Sequence, residues 1–142
     1  MPREPNYTPF PVDVRGRCYE FRADGSLRSF LQIFSKSNPL WEIQREDRQP
    51  VIDAALGQFE NLSKQSRFGI RRDAHWIYIV EVCTVDLMAF DPSDPNWELS
   101  EHIVEFERNI FDNYHQLCLL LKGRFDIAPE HLVHSYELSY LG

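Results

Sequence analysis

The sequence is poor in basic residues, and it has no long hydrophobic run. Its 22 acidic residues outnumber 15 lysines and arginines, which gives a net charge of −7. Such a balance disfavours nucleic acid or an anionic membrane as the main partner and favours a basic protein. The longest purely aliphatic run covers only residues 119–121, so no membrane-spanning segment is expected.

Cysteine is also scarce. Cys18, Cys83 and Cys118 are odd in number, far apart and in no CxxC pair. A disulfide framework is therefore not expected, whereas a reducing compartment is. The first residues lack the apolar core of a signal peptide, so these features together predict a cytoplasmic protein.

The motifs of common active sites are absent as well. The sequence contains no glycine-rich phosphate loop, no GxSxG elbow and no HExxH motif. No cofactor is therefore indicated, and a non-catalytic protein is favoured over an enzyme.

The length and the prolines indicate how the chain is divided. With 142 residues and 43% hydrophobic residues, one domain can bury a sizeable core. Pro2, Pro5, Pro9 and Pro11 favour extended backbone, so residues 1–14 are predicted to form a proline-rich arm. Residues 15–142 are predicted to form a single α+β domain.

The strongest element of the sequence is an apolar run at residues 75–88. It is rich in β-branched and aromatic residues, and its apolar residues occupy both odd and even positions. A strand that is covered on both faces has this pattern, so the run predicts the central strand of a mainly antiparallel sheet.

Two interpretations compete for the segment before it. Asp24-Gly25 between patterned runs predicts a β-hairpin with a type I′ turn, in which Tyr19 faces Phe30. The alternative is a helix over residues 27–34, because four apolar residues there fall at helical spacing. We favour the hairpin, followed by a short third strand at residues 40–43.

Two main helices are predicted to pack on one face of this sheet. The first covers about residues 50–64, starts at Pro50 and carries an apolar stripe. The second covers about residues 97–122 and ends before Gly123. Short strands are predicted at residues 66–72 and 134–140.

Acidic residues on the outer face of the second helix form the predicted recognition surface. Their carboxylates would steer a basic partner, and a neighbouring tryptophan would anchor it. The predicted surface comprises Asp91, Asp94, Trp97, Glu98, Glu101, Glu105 and Asp112. It predicts a protein–protein interaction module of the inhibitor, immunity or adaptor type. The sequence is also compatible with a homo-oligomer. A solvated helix face without any partner remains the alternative interpretation.

Two other functions stay open. Glu81 lies within the apolar run, and a carboxylate buried there without a partner would suit acid–base chemistry in a small enzyme or ligand-binding domain. The alternative is an ion pair with an arginine of the group Arg67, Arg71 and Arg72, or a position on a partly open face. The spacing of His115, Cys118, His131 and His134 is that of a zinc site, although Cys118 also fits an apolar helix stripe.

Overall fold

A computed structural model describes Val14 and residues 16–141 of the chain, and within them the fold is an α+β sandwich. The strands are β1 (Arg17–Asp24), β2 (Leu27–Ser37), β3 (Trp76–Asp86), β4 (Ile103–Phe111) and β5 (Val133–His134). The helices are α1 (Pro39–Glu42), α2 (Gln49–Gln65) and α3 (Tyr114–Phe125). All neighbouring strands are antiparallel, in the order β4-β3-β2-β1-β5. The predicted α+β class with a mainly antiparallel sheet is confirmed.

The predicted arm falls almost wholly outside the described residues. Of residues 1–14 only Val14 is described, and its side chain is fully buried in the core beside β2. The folded domain therefore includes Val14.

The predicted strand at residues 75–88 is β3. It pairs with β2 on one side and β4 on the other, and it is apolar on both faces because both faces are covered. The middle position of the sheet belongs to β2, so β3 is an interior strand beside the centre.

The hairpin of β1 and β2 is confirmed, and the alternative helix over residues 27–34 is wrong. Its turn differs from the prediction, because Asp24 pairs with Leu27 and the loop is Gly25-Ser26. Of the two loop residues, only Gly25 has a positive φ, at 60°, which a type II′ turn requires at its first central position. A bulge at Phe21 then shifts the register, so that Tyr19 faces Leu31.

The main helices lie on opposite faces of the sheet, which corrects the prediction of one shared face. Tyr78 and Val80 pack with Leu117 and Leu121 of α3 in one core cluster. The alternate residues of β3, Ile77 and Ile79, pack with Phe59 of α2 in another. The alternation of side chains along β3 thus places one helix on each face.

The predicted helix over residues 97–122 is wrong in its first half. Residues 99–102 form a 3-10 turn, Ile103–Phe111 is strand β4, and only Tyr114–Phe125 is helical. Phe106 and Ile110 are four residues apart, and this spacing fits a strand face as well as a helix face because four is a multiple of two. Asn113 caps α3 by accepting a hydrogen bond from the Gln116 amide, and the helix continues beyond Gly123 to Phe125.

Three shorter predictions also need correction. Residues 40–43 do not form a strand, because Pro39–Glu42 is helix α1. Residues 66–72 form a loop, and the strand predicted at residues 134–140 is limited to Val133–His134 and is followed by a 3-10 turn.

Asn38 joins α1 to the loop that leads into β3. Its side chain is fully buried, and its carbonyl oxygen accepts a hydrogen bond from the Leu40 amide at 2.9 Å. Its amide nitrogen donates to the Ala74 carbonyl at 2.8 Å, and its backbone amide donates to the His75 carbonyl. One side chain therefore caps a helix and holds the start of the longest strand pair.

Replacing Asn38 tests this junction. We expect Asn38→Ala to lower the free energy of unfolding by about 2–3 kcal/mol, because a cap is lost and a buried carbonyl loses its donor. Asn38→Asp keeps the cap but sets a carboxylate against the Ala74 carbonyl, so we expect a loss at least as large. Urea unfolding measures both variants, and an Asn38→Asp variant as stable as the parent would reduce the role of Asn38 to capping.

The orientation of α3 is tested by two leucines of one helix. Leu117 is fully buried, whereas Leu119 is 57% exposed. We expect Leu117→Ala to cost about 2–5 kcal/mol of stability and Leu119→Ala less than about 0.5 kcal/mol. Thermal and urea unfolding compare the two variants, and equal losses would contradict the described orientation of the helix.

Candidate protein-binding surface

The predicted recognition residues do not share a helix face. Trp97 precedes the 3-10 turn and is half-buried, since its ring stacks on His102 and meets Phe90 edge-on, each with centroids 4.8 Å apart. Trp97 therefore packs in the core cluster that contains Val85. Its ring therefore packs against the core beneath the predicted surface and stabilises the residues around it.

Five of the six predicted carboxylates lie at one end of the sheet. Asp91 and Asp94 accept hydrogen bonds from their own loop, which leads from β3 to β4. Glu98, Glu101 and Glu105 are exposed, and none of them has an ion pair with a described residue. We call these three the free carboxylates.

Asp112 lies elsewhere. It follows β4 at the other end of the strand, roughly 23 Å from Glu105 at the rise of a β-strand. Its carboxylate accepts hydrogen bonds from the backbone and side chain of Arg71, at 2.7 and 3.2 Å. Asp112 therefore holds the loop before β3 and does not belong to the acidic end.

The acidic end is produced by one uninterrupted part of the sequence. Residues 73–107 contain no lysine or arginine. They contain nine carboxylates, namely Asp73, Glu81, Asp86, Asp91, Asp94, Glu98, Glu101, Glu105 and Glu107. Because the end of β3, its following loop and the start of β4 all come from this stretch, their end of the molecule carries a concentrated negative charge.

An unpaired sheet edge adjoins the free carboxylates. No described strand pairs with the outer side of β4, which is the terminal strand of the sheet. Val104 and Phe106 on this strand are 56% and 50% exposed. Sequence reasoning missed these residues, although the alternation of Val104 and Phe106 with Glu105 and Glu107 is the pattern of a strand.

A groove of about 590 Å³ runs beside the carboxyl-terminal half of β4. On one side it is bounded by the end of α2 and the loop after it, including Phe68, which is 70% exposed. On the other side it is bounded by α3, including the exposed Leu119. Arg108 and Ile110 of β4 form its floor.

Glu81 has an arginine partner. Its carboxylate accepts two hydrogen bonds from the Arg108 guanidinium on the neighbouring strand, at 2.7 and 3.0 Å. Arg108 also donates to Gln65 at the end of α2, at 3.3 Å. Glu81 is therefore ion-paired as expected, but its partner is Arg108 and not one of the predicted Arg67, Arg71 and Arg72. The pairing connects β3, β4 and α2.

Of the four residues with zinc-like spacing, His115 is exposed in the first turn of α3, and the other three have different partners. The Nδ1 atom of His131 accepts a hydrogen bond from the Ala128 amide, and His134 stacks on Tyr136. Cys118 lies beside Tyr114 on α3. Among the residues that the structure describes, no group of three or more histidine, cysteine or acidic side chains is placed to hold a metal ion.

Cys83 lies on β3 in a setting that keeps its thiol protonated. Burial raises its pKa to about 11, and the nearby Glu81 carboxylate adds to the shift. A nucleophilic cysteine needs the opposite shift, because the thiolate is the reactive form. All three cysteines, Cys18, Cys83 and Cys118, are free thiols.

Comparison with known proteins gives no relative. No protein-family model, no curated protein and no solved structure matches the chain. Across the described part of the chain, none of the helices has the length and apolar character needed to cross a membrane.

The pair between Glu107 on β4 and Arg124 on α3 predicts a pH dependence. Hydrogen bonds from Arg124, and then from Asn109, hold the pKa of Glu107 below its ordinary value. The folded state therefore binds this proton more weakly than the unfolded chain does. The pair stabilises the fold at neutral pH, and this contribution is lost as the pH falls through the lowered pKa.

We expect Arg124→Gln to reduce the free energy of unfolding at pH 7 by no more than about 1 kcal/mol, since both side chains are 45% exposed. The difference from the parent should shrink as the pH falls through the lowered pKa of Glu107, and it should vanish once Glu107 is protonated in the folded parent. Urea unfolding at a series of decreasing pH values measures it. A difference that stays constant across the whole series would assign the effect to packing of Arg124 over the Phe125 ring instead.

Proposed function

We propose that this chain is a non-catalytic protein-binding module whose partner is a basic protein, and that it acts in the cytoplasm as an inhibitor, immunity-type protein or adaptor. The observation that supports this proposal most is the group of free carboxylates beside exposed apolar residues of an unpaired strand. Charges of one sign attract an oppositely charged partner during its approach, and the exposed apolar residues beside them can be buried when that partner binds.

The charge distribution supports a basic partner in particular. Glu98, Glu101 and Glu105 form no ion pair with another described residue, although Arg22 lines the same hollow as Glu105. A lysine or arginine from outside would therefore gain an ion pair without breaking one among the described residues. The other end of the sheet has Lys64, Arg67 and Arg72 around the end of α2. A partner approaching in solution would therefore be oriented towards the acidic end.

The free thiols support a reducing compartment. The pairing of Glu81 with Arg108 and the protonated state of Cys83 remove two groups that an enzyme would use, which supports a binding role. The free carboxylates form no ion pair with another described residue, so they are available to a partner.

Charge reversal tests the proposal. The full chain, its Glu98→Lys/Glu101→Lys variant and a Glu60→Lys control serve as baits in parallel captures from the native host. Glu60 is exposed on α2, away from the acidic end, so it matches the chemical change. We expect one basic protein on the parent and control baits, released by salt and reduced at least tenfold on the double variant.

Equal capture by all three baits would contradict the assigned surface. Release of the captured protein by detergent but not by salt would contradict the electrostatic part of the proposal. Circular dichroism of each bait confirms that the substitutions leave the fold intact.

A further inference from the structure

We propose that the outer edge of β4 binds an extended segment of the partner as an added β-strand, and that this segment alternates apolar with basic residues. The inference rests on the proposed function and specifies how the partner is held. The groove between α2 and α3 is the place where the segment lies.

The backbone of β4 has the hydrogen-bonding groups that a strand needs. The Ser66 hydroxyl donates to the Ile110 carbonyl at 2.7 Å, so this carbonyl points away from β3. Because carbonyls and amides alternate in direction along an antiparallel strand, those of Phe106 and Arg108 also point outwards. No backbone hydrogen bond to a described residue beyond β4 uses them. A partner strand would satisfy these two amides and two carbonyls.

The shape of the edge suits one extended chain. The groove floor is the strand itself, and its walls come from opposite faces of the sheet, with Phe68 on the α2 side and Leu119 on the α3 side. An added strand would cover these two side chains and Phe106, each at least half exposed. Alternate residues of the segment would face the two walls. The α2 side carries Lys64, Arg67 and Arg108 beside Phe68, so the apolar residues of the segment would face this side. Its basic residues would face the α3 side, where Gln116, Leu119 and Leu120 line the groove and carry no charge.

The charges specify the remaining positions. Side chains of Glu105 and Glu107 lie on the same face of β4, since they are two residues apart. Glu107 is paired with Arg124, whereas Glu105 has no partner among the described residues. A basic residue next to Glu105 on the added strand would form the missing cross-strand pair.

The same charges disfavour a second copy of this chain at the edge. An antiparallel pairing of two β4 strands centred on Glu107 sets Glu107 against its own copy. Centring on Phe106 sets Glu105 against Glu107, and centring on Arg108 sets two arginines together. Like charges directly opposite each other destabilise a strand pair, and charged edges are how proteins avoid self-pairing.

The opposite edge of the sheet offers no comparable site. There, β5 pairs with Arg17 and Cys18, and the bulge at Phe21 interrupts the rest of β1. A bulge twists an edge away from further pairing. The edge of β4 is therefore the one that the described fold leaves open for a strand.

Synthetic peptides test the inference on the full chain. The probe is a nine-residue peptide, as long as β4, that alternates lysine with valine. One control alternates glutamate with valine, and another has the lysines and valines in two separate blocks. Nuclear magnetic resonance titration measures binding, and amide hydrogen exchange measures which backbone groups become protected.

We expect the alternating lysine peptide to bind most tightly of the three peptides. It should slow hydrogen exchange of the Phe106 and Arg108 amides at least tenfold. Exchange of the Glu105 and Glu107 amides should not change, because these amides already donate hydrogen bonds to β3. Glu105→Lys should transfer the preference to the glutamate peptide. Glu60→Lys should leave the preference as it is.

A pair of variants isolates the backbone contribution. Phe106→Ala removes only the side chain, whereas Phe106→Pro also removes the outward amide, which an edge strand tolerates. We expect the proline variant to bind about tenfold more weakly than the alanine variant. If Phe106→Pro does not fold, a peptide that is N-methylated at alternate residues removes the same class of hydrogen bond from the other partner and should bind equally weakly.

Strand addition would be overturned by unchanged exchange at Phe106 and Arg108 in the presence of peptide, or by equal binding of the alternating and block peptides. Protection of the edge without peptide that rises with protein concentration would assign the edge to a second copy of the chain. Protection without peptide that disappears when residues 1–13 are removed would assign the edge to the N-terminal residues. Because Glu98 and Glu101 lie outside the groove, captures with their double variant decide the proposed function separately.

Discussion

The register between β2 and β3 is the constraint on which the rest of this structure depends. The two strands pair over eleven residues each, from Ser37 beside Trp76 to Leu27 beside Asp86. This pairing sets Val80 beside Ile33 on the face that α3 covers, and it sets Ile79 on the face that α2 covers. A slip by one residue would turn every apolar side chain to the wrong face. Both helices, and the strands outside this pair, are placed by its register.

The two edges of the sheet differ in whether a further strand can pair with them, and the proposed function follows from that difference. At β1 the edge is closed by a bulge and by β5, whereas β4 keeps outward amides and carbonyls along a groove. Beside that open edge lie Glu98, Glu101 and Glu105, which form no ion pair with another described residue. In the proposed function, an edge that is charged against its own copy, yet flanked by exposed Phe68 and Leu119, would discriminate between partners by sequence as well as by shape.

Local patterns predicted those elements in which one period dominates. The helix expected at residues 50–64 is α2, the run at residues 75–88 is β3, and the hairpin of β1 and β2 forms as expected although its turn is Gly25-Ser26. Residues 97–111 were misassigned because Phe106 and Ile110 satisfy both the helical and the strand period. The segment forms a strand because it hydrogen-bonds to the edge of β3. β3 is too distant in the sequence for a local pattern to reveal this pairing.

The sequence by itself determined the α+β class, the hairpin, α2 and the negative charge, because composition, periodicity and turn residues act over a few neighbouring positions. Tertiary structure decided where the charges meet: it separated Asp112 from the free carboxylates, paired Glu81 with Arg108, and turned the expected acidic helix into an edge strand. It also brought Phe68 and Leu119 to opposite walls of one groove, although they are far apart in the chain. Such placements depend on strand order and on which face each helix covers, and contacts between distant residues set both.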